Sequence, residues 1–100
     1  MHASIWKFSG DPDQLAASYD KVIAEIPSAA LRLQLCLRAP DGIVLVDTCP
    51  TEETAQAVVA DPQFRRMLAA YGLPAPEPVT LFPVHRAFVE GQAVETPAAR

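Results

Sequence analysis

The clearest hydrophobic pattern along the chain is a strict alternation in LRLQLCLR, residues 31–38. Every odd position of this segment is Leu, and every even position is Arg, Gln or Cys. Side chains of a strand point alternately to its two faces, so the pattern predicts a strand with one apolar face. The pair Asp41-Gly42 then indicates a tight hairpin. The apolar run IVLVDTC, residues 43–49, predicts a central strand that is covered on both faces.

Two other segments have the 3.6-residue periodicity of amphipathic helices. The first extends from a predicted N-cap at Asp11 to Pro27, whose ring a helix interior cannot accommodate. The second extends from a predicted N-cap at Thr51 to Gly72, with a restart at Asp61. The apolar stripe of the first helix comprises Leu15, Tyr19, Val22, Ile23 and Ile26.

The remaining β-forming segments are IWKFSG, residues 5–10, and VTLFPVHRAFV, residues 79–89. The element order is then β-α-β-β-α-β, which is that of the ferredoxin-like plait, an α+β fold with two helices on one face of a four-stranded antiparallel sheet. Right-handed crossovers give the strand order 4-1-3-2. Pro83 falls in an edge strand of this order, where a missing N–H does least harm. We predict one domain over residues 1–90 and a polar tail over residues 91–100.

The predicted hairpin divides the side chains of its strands between two faces. A turn at residues 41 and 42 places Cys36 opposite Asp47 and puts the leucines on one face with Val44 and Val46. We expect the helices to cover that face. The other face collects Arg32, Gln34, Cys36, Arg38, Leu45, Asp47 and Cys49. This face is too apolar to remain exposed to solvent and too polar to form a fully packed core. A second copy packed on it would therefore enclose a cavity for a small molecule.

Several residues are candidates for a site in such a cavity. His85, late in the last strand, could act as a base because imidazole titrates near neutral pH. Trp6 could stack on an aromatic ligand. Arg38 could hold an anionic substrate or pair with Asp47 across the hairpin. The candidate ligand-binding residues are Trp6, Gln34, Cys36, Arg38 and Asp47. Each has a structural alternative: a backbone-bonded histidine, a core tryptophan, a structural ion pair or a packed thiol.

Composition and charge narrow the classes of function. One hundred residues, half of them hydrophobic, suffice for one packed core and leave apolar surface for a partner. A net charge of −4 argues against nucleic acid as a partner. The absence of a long apolar run and of a signal-peptide pattern predicts a cytoplasmic protein without a membrane partner. Two Cys and two His far apart in sequence predict no metal site.

Four phrases of the chain resemble small proteins of the dimeric α+β barrel superfamily, in particular its antibiotic-biosynthesis-monooxygenase-like members. They are IWKFSGDPDQLAASYDKVIAEI, DGIVLVDTCPTEETAQAV, DPQFRRMLAAYGLP and FPVH, and the resemblance covers roughly residues 3–90. It implies a homodimer whose two sheets pack into a barrel, and a small organic ligand, such as an aromatic one, oxidised without metal, flavin or any other cofactor. The haem-degrading branch relies on an Asn, a Trp and a His. This chain contains no Asn, so we do not expect haem degradation.

Two functions of different classes remain open. One is a cofactor-free, monooxygenase-like enzyme acting on a small molecule, and the other is a non-catalytic module that binds such a molecule or only dimerises. Acylphosphatases share the topology, but their anion-binding loop contrasts with the acidic SGDPD loop of this chain. RNA-recognition domains need exposed aromatic side chains on the central strands, and IVLVDTC has none.

Overall fold

The computed structural model describes residues 1–27 and 32–96, and these form an α+β fold with three helices and six strands. The caps and turns of the chain set the limits of each element. In chain order the elements are β1 (His2–Ser9), α1 (Pro12–Ala24), β2 (Gln34–Ala39), β3 (Gly42–Cys49), α2 (Glu52–Ala60), α3 (Pro62–Ala70), β4 (Thr80–Pro83), β5 (Ala87–Val89) and β6 (Gln92–Val94).

Strands β1 to β4 form one antiparallel sheet in the order β2-β3-β1-β4, which is the predicted order 4-1-3-2 taken from the opposite edge. The central strands β1 and β3 pair along their whole length, from His2 opposite Cys49 to Ser9 opposite Gly42. The edge strand β4 pairs only with the first half of β1, and its last residue, Pro83, lies opposite His2. Pro83 is therefore at an edge, as its missing N–H requires.

The β2–β3 hairpin turns one residue earlier than predicted. Ala39 pairs with Gly42, so Pro40 and Asp41 form the turn. Gly42 belongs to β3 because the backbone of β1 lies against it: a Cβ added to Gly42 would be 1.9 Å from the carbonyl oxygen of Phe8. Close approach to a neighbouring strand, rather than turn geometry, explains this glycine.

This earlier turn changes the cross-strand partners that we predicted. Cys36 lies opposite Leu45 instead of Asp47, and Gln34 lies opposite Asp47 instead of Cys49. Because the register shifts by two residues, the division of side chains between the two faces is retained. Gln34, Cys36, Leu45 and Asp47 thus share one face, while Leu35 and Leu37 share the other with the valines of β3.

The helices, however, cover the opposite face from the one predicted. Trp6 and Phe8 of β1 and Ile43 and Leu45 of β3 are buried beneath the helices. Leu15, Val22, Leu68 and Leu73 complete the buried core. The central strands decide this arrangement, because β1 carries Trp6 and Phe8 on one face and Lys7 on the other. The prediction that helices cover the alternating leucines is therefore wrong.

The face without helices, which we call the open face, keeps apolar side chains in contact with solvent. Leu35 is 46% exposed, Leu37 is 48% exposed and Phe82 of β4 is 55% exposed. Leu31, the first leucine of the alternating row, lies outside the described residues. Ile5, Val44 and Val46 occupy neighbouring positions on this face and are half-buried.

The predicted helix caps are confirmed. The Asp11 side chain accepts a hydrogen bond from the backbone N–H of Gln14 at 2.9 Å, and the Thr51 hydroxyl accepts one from Thr54 at 3.1 Å. The restart at Asp61 separates α2 from α3, so the second predicted helix is two short helices. Within residues 1–27 and 32–96, no helix is long and apolar enough to cross a membrane.

The C-terminal part of the chain differs from the single long strand over residues 79–89 that we predicted. β4 ends at Pro83, and after a bend β5 and β6 form a separate two-stranded antiparallel sheet. Glu90 and Gly91 connect them with φ values of 49° and 78°, the positive values that two-residue hairpin turns of type I′ require. The predicted tail thus contains a strand, β6.

Candidate functional site

A partly open cavity of about 270 Å³ lies between the sheet and the helices, and we call it the helix-side cavity. Residues of β1, β2 and β3 and of all three helices line it. Most of its lining is aliphatic or aromatic, and a few polar side chains are grouped among these residues. The aromatic lining residues are Trp6, Phe8, Tyr19 and Phe64, and the polar or charged ones include Arg32, Gln34, Asp47, Cys49 and Asp61.

Trp6 forms one wall of this cavity and is held by contacts on two sides. Its ring meets that of Phe64 edge to face, with 5.7 Å between the ring centroids and 73° between their planes. Its indole Nε1–H donates a hydrogen bond to the Ser4 hydroxyl oxygen at 3.2 Å. Trp6 is only 3% exposed, so most of its surface belongs to the core.

The hydrogen bond from Trp6 continues to Asp47. Ser4 and Trp6 point to the same face because they are two residues apart in β1, and Ser4 lies directly opposite Asp47 in β3. The Ser4 hydroxyl, which accepts from Trp6, donates to Asp47 Oδ1. The Ser4 hydroxyl thus connects the Trp6 indole to the Asp47 carboxyl group, which lines the cavity.

Burial raises the pKa of the Asp47 carboxyl, and the hydrogen bond from Ser4 lowers it by less. No ion pair to Asp47 is formed by any Lys, Arg or His in the described ranges. Gln34 lies directly opposite Asp47 on β2. Burial raises the pKa of the Tyr19 hydroxyl, and the Gln34 side chain lowers it by less. Asp47, Gln34 and Tyr19 therefore form a small polar group in an otherwise apolar wall.

The two thiols on this face are free and half-buried. Burial raises the pKa of Cys36 and of Cys49, and the charge of Asp47 raises that of Cys49 further. A nucleophilic cysteine needs a lowered pKa, so neither environment activates a thiolate.

Three of the predicted ligand-binding residues come together at the helix-side cavity: Trp6, Gln34 and Asp47. Cys36 packs against the core beside them. Arg38 does not pair with Asp47, as we had considered, but with Asp13 in the first turn of α1. The observed register explains this, because Arg38 lies opposite Ile43 near the turn end of the hairpin.

The predicted base, His85, lies outside the helix-side cavity. It is exposed in the bend between β4 and β5, because the last strand ends at Pro83. The other histidine, His2, is buried on the helix-covered face opposite Cys49, with Nε2 3.6 Å from Glu52 Oε2. Its Nδ1 has no hydrogen-bond partner among the residues described.

Sequence reasoning missed His2, Ser4 and Tyr19. Alternation along β1 was the available signal for the first two, since residues 2, 4 and 6 share a face. Tyr19 was assigned to the helix stripe, and the structure places it in the cavity wall.

No protein-family model, curated protein or solved structure shows a significant match to this chain. Within the part of the chain that the structure describes, no group of three or more His, Cys, Asp or Glu is placed to hold a metal ion. The functional argument therefore starts from the helix-side cavity and from the open face of the sheet.

Proposed function

We propose that this protein binds a small organic molecule with an aromatic ring in the helix-side cavity. The observation that carries the proposal is a cavity of about 270 Å³ with aromatic walls and one group of polar side chains at Asp47. Sites for small molecules are mostly apolar, with a few polar groups that orient the ligand. Since a cavity of roughly 150 Å³ can hold benzene, this one suits a ligand of one or two rings.

The proposed ligand lies between the sheet and the helices of one chain, rather than between two sheets as the sequence led us to expect. The mixed face that carries Gln34 and Asp47 is the one beneath the helices. Trp6 supplies an aromatic surface beside the ligand, and Asp47 with Gln34 supplies its polar contacts.

The open face supports the second part of the proposal, a homodimer of ferredoxin-like plaits as in the dimeric α+β barrel superfamily. Leu35, Leu37 and Phe82 each expose close to half of their side chains on one sheet face. Apolar surface of this kind is stabilised when a partner removes it from water. A second copy, packed sheet to sheet, is the partner that the resemblance implies.

A second candidate function is cofactor-free oxygenation of the bound ligand by O₂. Asp47 favours it, because a carboxylate with a raised pKa is a better proton acceptor than an ordinary one. In such a reaction a ring CH₂ loses a proton to Asp47 and reacts with O₂. A carbonyl and one water are then the products, which balances all atoms. His85 is not among the lining residues and lies in the exposed bend after β4, so Asp47 is the candidate base.

The fluorescence of Trp6, the only tryptophan of the chain, tests ligand binding directly. We expect saturable quenching when the protein is titrated with a panel of phenols, naphthols and arylalkylamines. Val58→Phe adds a ring to the cavity lining and should weaken binding about tenfold or more. The control Ala57→Phe adds the same ring at the exposed neighbouring position and should not.

Failure of every ligand to quench, or equal binding by Val58→Phe and the control, overturns the proposed site. Oxygen uptake with each bound ligand separates the two candidate functions. Uptake that disappears in Asp47→Asn while binding persists supports the enzyme. Binding without uptake supports the non-catalytic module.

Light scattering tests the homodimer. The wild-type chain should have twice the mass of one 10.8 kDa chain at micromolar concentration. The double variant Leu35→Glu and Leu37→Glu should be a monomer, because it places two charges on the open face. The control Gln56→Glu and Gln63→Glu adds the same charge to exposed helix positions and should stay dimeric. A monomeric wild type contradicts the proposal.

A further inference from the structure

We propose that the helix-side cavity selects ligands carrying a protonated amine, whose ammonium group is bound by the Asp47 carboxylate. The inference rests on the proposed function, since it assumes that this cavity is a ligand site. It adds the chemical class of the ligand: an arylalkylamine rather than a neutral or anionic aromatic molecule.

The first argument is that Asp47 is a half-buried carboxylate and that no Lys, Arg or His of the described residues forms an ion pair with it. Ser4 donates one hydrogen bond to it. Arg38, which the sequence made a candidate partner of Asp47, is paired with Asp13 near the turn end of the hairpin. Removing a carboxylate from water without a compensating charge is unfavourable, and an ammonium group on the ligand supplies that charge. A charge-assisted hydrogen bond is also stronger than a neutral one.

The second argument is the sign of the electrostatic field in the cavity. Burial and then the charge of Asp47 raise the pKa of Cys49, which lines the same cavity. Asp61 adds a second carboxylate to the lining. Arg32 is the one cation among the described lining residues, and it is exposed to solvent like Asp61, so both of these charges are screened. The half-buried Asp47 is the least screened charge of the described lining. The cavity therefore favours cations over anions.

The third argument is the distance between the aromatic wall and the carboxylate. Trp6 lies opposite Leu45, and Asp47 is two residues further along β3 on the same face. Such diagonal neighbours on paired strands are roughly 7–8 Å apart. The ligand that fits this spacing has an aromatic ring, which packs against Trp6, and an ammonium group, which binds Asp47. A linker of about two or three atoms joins the two groups. The aromatic walls also stabilise a cation through their π faces.

Three probes of one shape test the inference: 2-phenylethylamine, 2-phenylethanol and phenylacetate, each titrated against Trp6 fluorescence at pH 7. We expect the amine to bind about tenfold or more tightly than the alcohol, and the carboxylate most weakly. Asp47→Asn keeps an acceptor for Ser4 and should reduce amine affinity about tenfold or more, with alcohol affinity changed by less than about threefold.

The control Asp61→Asn removes the other lining carboxylate, which is exposed at the cap of α3, and should change amine affinity by less than about threefold. Wild-type affinity for the amine should also decrease as pH is lowered until Asp47 is protonated. This measurement needs no variant, so it remains decisive if Asp47→Asn does not fold.

Equal binding of the amine and the alcohol, unaffected by Asp47→Asn, overturns the amine inference but leaves the aromatic site in place. Preference for phenylacetate overturns it as well. Failure of all three probes together with the wider panel of aromatic ligands overturns the proposed function itself, so the two failures are distinguishable.

Discussion

The two faces of the four-stranded sheet differ in a way that a simple inside–outside rule does not explain. The face beneath the helices carries nearly all of the titratable side chains of the described strands, including His2 and Asp47. The open face carries Leu35, Leu37 and Phe82, and its titratable group is Lys7. Several polar groups are thus covered together with the apolar core, and three large apolar side chains are exposed. This distribution is what the proposed ligand site and the proposed homodimer require.

The covered face is itself divided along the strands. Toward the hairpin turn, Phe8 and Ile43 pair across the central strands and are almost completely buried. Toward the other end, Ser4 pairs with Asp47, and the packing leaves the helix-side cavity beside them. The same alternation that builds the core at one end of β1 therefore positions polar groups at the other.

The largest expected effect comes from shortening the same residue type on each face. Leu45→Ala, beneath the helices, should reduce the free energy of unfolding by about 2–5 kcal/mol, because it removes buried contacts and enlarges a cavity. Leu37→Ala, on the open face, should cost less than about 1 kcal/mol in a monomer, since its side chain is already 48% exposed. Urea unfolding of both variants measures the difference.

Protein concentration sharpens this comparison. If a homodimer covers the open face, the loss of unfolding free energy caused by Leu37→Ala should increase with protein concentration. The loss caused by Leu45→Ala should remain the larger of the two. Equal costs for the two variants at low concentration would contradict the assignment of the two faces.

A smaller effect is expected from Ser4, which connects the two sides of the cavity wall. Ser4→Ala removes the acceptor of the Trp6 indole N–H and the donor to Asp47 together, and both partners are shielded from solvent. We expect a loss of about 1–3 kcal/mol in the free energy of unfolding, measured by urea denaturation. Ser9→Ala, at the exposed end of the same strand, is the control and should be close to neutral. If the two variants are equally stable, the hydrogen-bonded chain does not stabilise the fold.

Much of the fold could be predicted from the sequence, because local signals determine it. Asp11 and Thr51 have capping side chains at helix starts, and the restart at Asp61 is visible in the Asp-Pro pair. Strand order followed from element order and crossover handedness. The second hairpin was missed because its turn, Glu90-Gly91, lacks the usual Asn or Asp at the first position.

The covered face of the sheet could not be predicted from the alternating leucines alone. Alternation shows that two faces differ in polarity, but not which one the helices contact. Trp6 and Phe8 indicated the covered face better than the leucines did. They are the largest side chains of the central strand β1, so the face that carries them is the one that packs in the core. Of the predicted site residues, Trp6, Gln34 and Asp47 line one cavity, whereas His85 lies elsewhere because the strand that was expected to carry it ends at Pro83.

The smallest effect concerns the pH dependence of stability on the covered face. Burial raises the pKa of Asp47 in the folded chain above its value in the unfolded chain. The protonated form is therefore favoured by folding. This contribution to stability is fully present below about pH 4 and is lost as pH rises through the raised pKa of the folded state. Asp47→Asn should remove it.

Compared with the wild type, Asp47→Asn should gain stability as pH increases from about 4 to 7, reaching a difference of about 1 kcal/mol or less, because Asp47 is only half-buried. Urea unfolding at several pH values measures the difference, with Asp41→Asn in the exposed hairpin turn as the control. A stability difference that decreases with pH would mean that a cation already compensates Asp47. The amine inference would then lose its main support, because the cavity would hold no unpaired charge for a ligand to neutralise.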